Sequence, residues 1–594
     1  MRRFIIRILR ALLIAFLSLL GSYVMWLEGE RIDPARDVAA FIDPADAVQA
    51  VLSHDGQPAF TVIESIRRKK TFRADMWRAG AASLFLAGGI AAFWIVTSSV
   101  VRLIRGGEVN ASPLPAKRWS LDTPLLWFSK SAFWTIGAAC QGCQIWGSTG
   151  SGKTTGSLSA ICLAFLRAGF GGIFLTCKPD DRAVYERYIR AAGREADLML
   201  FGPGHKHTFN FLDAELAAGA GFVENLTELL STVVELADRN SGHGGRDDES
   251  FWRRMVRQLC RNSIQLLVMA KGKVRVSDLY RLVTSAPLSP DQVRSAQWQD
   301  ASFCFQCMAE ADGKAKTPQE RADYDLIVSY FAGEWANLSD RTRSVVLSSF
   351  STTIDTLNRG TVRDLISSPV STIRPDMAQD GKLIIVDAPV MVHNEIGQYL
   401  QVIFKFCLQR AQNRRDANSN PRPVFIVCDE SHLLAVSADQ VFQTTARSTR
   451  TCVVYATQSI SNYLAAFGGE KTEPEVHSLL GNLQLQVFHQ QTDIRTNQYA
   501  ADLVGRTRQV LCNSSNSYQQ DDWPLMLDGL GAPTQTTAGM TETIDYELQP
   551  GAFTSLATGG PPRWEVEAIV YQGGKRFKET GRTWMPVTFR QNTK

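Results

Sequence analysis

The 594-residue chain has little net charge. Its 63 Lys and Arg stand against 59 Asp and Glu, a formal +4, and so small a surplus carries no argument for nucleic-acid binding. Cysteine is present but unevenly placed. None of the 11 lies before Cys140, so the segment between the two N-terminal apolar runs has none, and the odd total excludes a fully paired disulfide framework. Two C-x-x-C pairs occur, Cys140/Cys143 and Cys304/Cys307. About 160 residues separate them, far beyond ordinary zinc-ligand spacing, so they read as free thiols in a reducing compartment. No L-S-G-G-Q segment is present, which argues against an ATP-binding-cassette transporter. The length exceeds one core, and two or three domains are expected.

What is present is a phosphate-binding loop. Gly147-Ser148-Thr149-Gly150-Ser151-Gly152-Lys153-Thr154 matches G-x-x-x-x-G-K-[ST] in full, with Thr155 next in the nucleotide-binding set. Glycine tolerates φ > 0, which lets successive backbone N–H groups face phosphate oxygens. Lys153 is expected at the β- and γ-phosphates, and Thr154 is expected to ligate Mg²⁺ through its hydroxyl. A strand-like run, Gln144-Ile145-Trp146, precedes the loop, and an apolar-rich helix over about Thr155–Leu166 comes after it. Strand, loop, helix is the context the motif requires, and ATP with Mg²⁺ is the cofactor it implies.

From residue 117 onward, short apolar runs alternate with helical stretches. Gly172–Thr176, Leu383–Asp387, Val424–Asp429, Cys452–Ala456 and Leu483–Phe488 are strand candidates, and their alternation with helices predicts a parallel, doubly wound sheet. The run at Val424 closes on Asp429-Glu430. Asp429 is expected to hold Mg²⁺, and Glu430 to orient and polarise the attacking water. The competing strand ends in Asp387, which Ala388-Pro389 rather than Glu follows, so it reads as a neighbouring core strand. Gln458, at the tip of the strand from Cys452, is placed to sense the γ-phosphate. Lys178-Pro179-Asp180 resembles a GTPase base-reading motif, but it comes too early and Cys177 replaces the Asn. Lys153 and Asp429 are farther apart than a minimal nucleotide fold needs. About 213–364 reads as a mostly helical insertion, in which Arg254, Arg257 and Arg261 share a helix face that could meet phosphate backbone, a neighbouring subunit or solvent.

The N-terminal region, about 1–110, reads as a membrane domain. The run Ala11–Leu27 has about 17 residues and Ala79–Val101 about 23, long enough to span a bilayer. Arg2, Arg3, Arg7 and Arg10 favour a cytoplasmic N-terminus; Arg67, Arg68, Lys69 and Lys70 in the intervening loop argue the other way. A phosphate loop must meet cytosolic ATP, so the segment between the two apolar runs is placed outside and 111–594 in the cytoplasm.

Taken together, these features resemble the type IV secretion coupling proteins, the TraD/TraG-like conjugative DNA-transfer ATPases. The resemblance rests on the two apolar runs, GSTGSGKT at Gly147–Thr154 and the strand ending in Asp429-Glu430. It rests also on ARSTRTCVVYATQSISNY at Ala446–Tyr463 and GNLQLQVF at Gly481–Phe488. It implies a RecA-like P-loop domain with an all-α insertion and an N-terminal two-helix transmembrane hairpin. The implied assembly is a homo-hexamer at the bacterial inner membrane, delivering DNA with relaxase-type or effector proteins to a secretion channel. By position it makes Arg447 and Arg450 candidates for reaching a neighbour's nucleotide. Where the family often has D-P-K-G-E, this chain has Thr176-Cys177-Lys178-Pro179-Asp180, which leaves the role of that turn open. No long acidic tail comes after the last fold-like segment, so docking through such a tail is not expected. The alternatives are an FtsK-like DNA pump and a protein-substrate receptor that uses nucleotide only to assemble.

Overall fold

The computed structural model describes residues 119–591 except 219–221, 241–248, 469–471 and 518–534, together with 20–25, 27, 75, 76, 78–80 and 82. The two apolar runs therefore lie outside the described residues apart from those few positions. No helix among the described residues is long and apolar enough to cross a membrane. The chain divides into two compact units between Arg118 and Trp119, and the second holds the phosphate loop and the acidic pair.

A short hairpin, β1 (Pro124–Trp127) with β2 (Phe133–Thr135), precedes the main sheet. The sheet is built from β3 (Cys143–Trp146), β4 (Gly171–Leu175), β5 (Leu198–Phe201), β6 (Leu383–Val386), β7 (Val424–Cys428), β8 (Thr451–Thr457) and β9 (Leu485–Phe488). β12 (Glu565–Gln572) and β13 (Trp584–Arg590) complete it, in the order β13-β12-β9-β3-β8-β7-β4-β6-β5. From β9 to β5 every pairing is parallel. β12 and β13 run antiparallel, which corrects the expectation of a wholly parallel sheet. The cause is visible in β13, whose residues alternate between buried and exposed as an edge strand with one solvated face should. Between α-helix Ile494–Val504 and β12 the chain also forms a separate two-stranded ribbon. In it β10 (Arg506–Ser517) pairs with β11 (Gln535–Tyr546).

The strands expected from the apolar runs are all present, to within one or two residues at each end. Every residue of β3, β4, β6, β7 and β8 is buried, as in a sheet covered on both faces. Side chains alternate across a strand. Ile173, Leu175, Ile384, Val386 and Ile426 accordingly join the core on one face, and Phe174, Leu383, Ile385, Phe425 and Val427 join the core on the other. Helices Ser159–Arg167 and Asp181–Ala191 cover the second face through Ile161, Phe165, Tyr185 and Ile189. The first face carries the long helix Val390–Arg414 and the helical insertion.

That insertion runs from helix Phe211–Ala217 to helix Gly360–Ile366, without a strand among its described residues, close to the expected 213–364. Several of its helices start at a capping side chain, among them Asn210, Ser289, Ser302, Thr317 and Ser339. Thr317 and Glu320 form a reciprocal capping box before helix Pro318–Ser329, with proline in its first turn. Leu229, Leu259 and Leu279 of the insertion belong to the same core as the first sheet face, so the helices are fused to the sheet through shared apolar packing. The expected basic face is paired within the chain. Arg257 donates to Glu228 at 2.6 Å, and Arg261 lies 4.0 Å from Glu224, both carboxylates on the adjacent helix Phe222–Asn240.

Candidate active site

The register of the parallel strands brings their carboxyl ends to one edge. Trp146 pairs with Thr457, and Leu175 pairs with both Cys428 and Val386. The loops that leave β3, β8, β7 and β4 are therefore neighbours, at the edge where open α/β sheets bind ligands. These loops carry Gly147–Thr154, Gln458, Asp429-Glu430 and Lys178.

The phosphate loop has the backbone that its glycines permit. Gly152 has φ +81°, and a Cβ there would lie 2.6 Å from Val566 and 2.9 Å from the Thr558 carbonyl. Both conformation and space thus demand glycine. The expected helix begins with a wide π-helical turn, Thr154–Leu158, in which the Leu158 N–H reaches the Lys153 carbonyl at 3.1 Å. Helix Ser159–Arg167 continues from it. Ser148 Oγ donates to Gln491 at 3.0 Å, and the Thr149 hydroxyl donates to Gln458 Oε1 at 3.3 Å. The Thr155 hydroxyl is turned to the Gly152 carbonyl and to Gln591. Behind the loop, His489 Nε2 lies 2.7 Å from Ser157 Oγ and Nδ1 3.2 Å from the Glu567 carbonyl. A carbonyl only accepts, so Nδ1 carries the proton and Nε2 accepts from Ser157. Burial, aided by the charge of Lys153, holds this imidazole down at about 4 against the opposing Glu567 carbonyl, so it is neutral.

Asp429 and Glu430 are each 1% exposed. The Thr154 hydroxyl donates to Asp429 Oδ2 at 2.9 Å. Lys153 Nζ lies 3.1 Å from Glu430 Oε1 and 3.6 Å from Asp429 Oδ1. Gln458 Nε2 donates to Glu430 Oε1 at 3.4 Å. The residues assigned from sequence to the metal, the water and the γ-phosphate are thus brought together. Glu430 stands at φ +56°, ψ +44°, a left-handed conformation that non-glycine residues seldom adopt and that recurs at functional sites. Burial would raise its carboxyl, but Lys153 and Lys178 overcome that and hold it at about 2.

Lys178 is the residue whose role the sequence left open. Its ammonium lies 2.8 Å from Glu430 Oε1 and 3.3 Å from Asp429 Oδ2. Burial would lower its pKa, and the charges of Asp429 and Glu430 instead hold it well above the usual lysine value. The sequence signal was the single lysine retained from the family pattern; its reach across β4 to the tip of β7 needs the strand order. Asp387 is two strands from β7 and serves elsewhere, 2.6 Å from His205 Nε2 and 3.2 Å from Arg182. Arg447 and Arg450 precede β8, at the edge opposite the phosphate loop. Arg450 Nη1 donates to the carbonyls of Trp119 and Pro421, which makes it a structural tie, while Arg447 is exposed. Cys140 and Cys143 lie in the core of one sheet face, Cys304 and Cys307 in that of the other.

Two carboxylates, two ammonium groups and a threonine hydroxyl at the mouth of a glycine loop suit a polyphosphate with a divalent cation. Buried atoms with no hydrogen-bond partner support the fit, namely Glu430 Oε2 and Ser151 Oγ. Thr154 Oγ1 and Asp429 are the oxygen ligands that a hard cation such as Mg²⁺ takes.

Residues 423–541, which include β7, Asp429, Glu430 and Gln458, match the family described as the TraM recognition site of TraD and TraG. No curated protein has a matching sequence. Among solved structures, the unbound bacterial conjugative coupling protein TrwBdeltaN70 is similar with a TM-score of 0.52 and 13% identity, over 79% of this chain and 90% of that one. The plasmid coupling protein TrwB in complex with the GTP analogue GDPNP is similar with a TM-score of 0.50 and 14% identity, over 82% of this chain and 95% of that one. Its complex with the ATP analogue ADPNP gives 0.50 and 12%, over 82% and 94%. At such identities these likenesses speak for the fold, and the family match speaks for the segment that bears the two carboxylates. The chain thus shares the fold of the TrwB coupling protein, and its segment 423–541 is similar to the TraM recognition site of TraD and TraG.

Proposed function

We propose that this chain is an ATPase that couples hydrolysis to the delivery of DNA–protein substrates to a type IV secretion channel. The runs at about 11–27 and 79–101 would anchor it in the bacterial inner membrane, with the ATPase domain in the cytoplasm. The observation that carries the reading is the convergence of Lys153, Thr154, Asp429, Glu430 and Gln458 at the carboxyl edge of the sheet.

The chemistry comes from the residues. The backbone N–H groups of the glycine loop cradle the phosphates, and Lys153 moves from Glu430 onto the β- and γ-oxygens. Thr154 and Asp429 would hold Mg²⁺, which would supply charge neutralisation to the phosphates when bound. Glu430, ionised and fixed in its left-handed turn, accepts a hydrogen bond from the attacking water and orients it in line. Gln458, bonded to both Glu430 and Thr149, reads the γ-phosphate from the β8 tip. Arg447, exposed at the far edge, is the group available to a neighbouring copy, and the assembly proposed is a homo-hexamer. The stretch 423–541, matched to a family named for TraM recognition, is the proposed contact for a protein of the substrate complex.

The test is the ATPase rate of the full chain with and without single-stranded DNA, beside Lys153→Ala. Stimulation by DNA that the variant abolishes is expected. Turnover indifferent to DNA, or none, would move the reading to a protein-substrate receptor that uses nucleotide only for assembly.

A further inference from the structure

Glu430 Oε1 is shared by Lys153 at 3.1 Å, Lys178 at 2.8 Å and the Gln458 amide at 3.4 Å, while Oε2 has no hydrogen bond and lies 3.8 Å from His432 Nδ1, which is turned to the Thr457 hydroxyl. When Lys153 transfers to the phosphates, it leaves a carboxylate that is 1% exposed. A buried carboxylate is held in place by a cation beside it, and removing that cation is costly. Among the described residues, Lys178 is the ammonium left to do this.

Lys178 is held where it can. Asp181 Oδ2 accepts the N–H groups of Cys177 and Lys178 at 2.7 and 2.8 Å, which closes the turn at the tip of β4. The Thr176 N–H donates to Gln401 at 2.7 Å, and Gln401 Nε2 donates back to the Thr176 carbonyl at 2.6 Å. Cys177 Sγ lies 3.7 Å from the Glu430 carbonyl, so the turn also touches the backbone of the residue that its lysine serves. Lys178 keeps a 30% exposed side chain, whereas Lys153 is at 7% beneath the loop. The two lysines therefore reach one oxygen from different strands and from different directions.

We propose that Lys178 is a positioning residue that takes over Glu430 when Lys153 is withdrawn onto the nucleotide. The lysines thus act in succession on one carboxylate. The proposal rests on the nucleotide reading above and deepens it. Before nucleotide binds, Glu430 Oε1 has both lysines beside it; afterwards Lys178 is the lysine of this chain that remains there. Loss of Lys178 should therefore weaken the nucleotide-bound state and spare the free one.

The experiment titrates the full chain with ADPNP and Mg²⁺ by calorimetry. The variants are Lys178→Met, Lys178→Arg, Glu430→Gln and the Lys178→Met/Glu430→Gln double. Lys178→Met should bind about 10- to 100-fold more weakly than wild type, and Lys178→Arg within about threefold of it. The double variant should return to within about threefold of Glu430→Gln alone, because a neutral amide needs no cation. The melting temperature of nucleotide-free Lys178→Met should stay near that of wild type; if that variant does not fold, Lys178→Gln takes its place in each comparison. Wild-type affinity in Lys178→Met, or a double variant as weak as Lys178→Met, would overturn the role of Lys178 alone. A wild-type chain that binds no ADPNP would overturn the nucleotide reading, and this one with it.

Discussion

His489 makes stability at the phosphate loop depend on acidity, with a sign and a size that can be worked out. The imidazole is buried between Ser157 and the Glu567 carbonyl and is held at about 4, against an ordinary value of 6.5. The native state thus binds fewer protons than the unfolded state between those values, so stability rises with pH across that window. The contribution is complete above about 6.5 and is lost as pH falls towards 4. At about 1.4 kcal/mol per pH unit the whole gap is worth about 3 kcal/mol, and the part between about pH 7.5 and about pH 5 is about 2 kcal/mol. The perturbation is His489→Gln, which removes the titration and keeps a polar partner for Ser157. The assay is denaturant unfolding of both chains at the two pH values. Wild type should lose about 2 kcal/mol more than the variant on acidification. Equal losses would refute the reading that the burial of this histidine as a neutral ring governs the acid response of the loop.

Other contacts of the same kind lead to further expected outcomes. Lys405 and Asp439 form an ion pair at 2.5 Å, 1% and 2% exposed, that anchors the segment after Glu430 through the Leu434 carbonyl. Lys405→Met should destabilise the chain by about 3–5 kcal/mol in denaturant unfolding, and adding Asp439→Asn should recover part of that loss. Gln458→Ala should lower turnover by about 10- to 100-fold while ADPNP affinity stays within about threefold, if its role is confined to the γ-phosphate and the water. Ten of the 11 cysteines are buried free thiols, and burial pushes Cys260 up to about 12 and Cys307 up to about 11. The native chain should therefore take up no more than one equivalent of a thiol-disulfide reagent at neutral pH, and the unfolded chain should take up all of them.

Much of this protein is legible without coordinates because its signals are local. The phosphate loop is contiguous, and its glycines, Lys153 and Thr154 act through neighbouring backbone. The central strands are buried on both faces, so they stand out as short apolar runs such as Val424–Cys428, and the acidic pair Asp429-Glu430 directly follows one of them. The antiparallel strands β12 and β13 and the ribbon of β10 with β11 do not stand out in this way. The exposed face of β13 and the polar residues of the ribbon break the apolar run, and a one-sided strand in a polar stretch carries a weaker pattern.

The sequence by itself determined the nucleotide loop, the acidic pair and the helical insertion, each written within a few consecutive residues or a sustained helical period. Only the tertiary structure decided what those parts touch. Strand order β8-β7-β4 sets Lys178 beside Glu430, separates Asp387 from the site by two strands, and sends Arg450 to the opposite edge to tie down the chain at Trp119. The same packing buries His489 against the loop helix from a strand more than 300 residues away. These are matters of which strands lie side by side, a choice made by the packing of two apolar sheet faces over the whole chain, and no local run of residues encodes it.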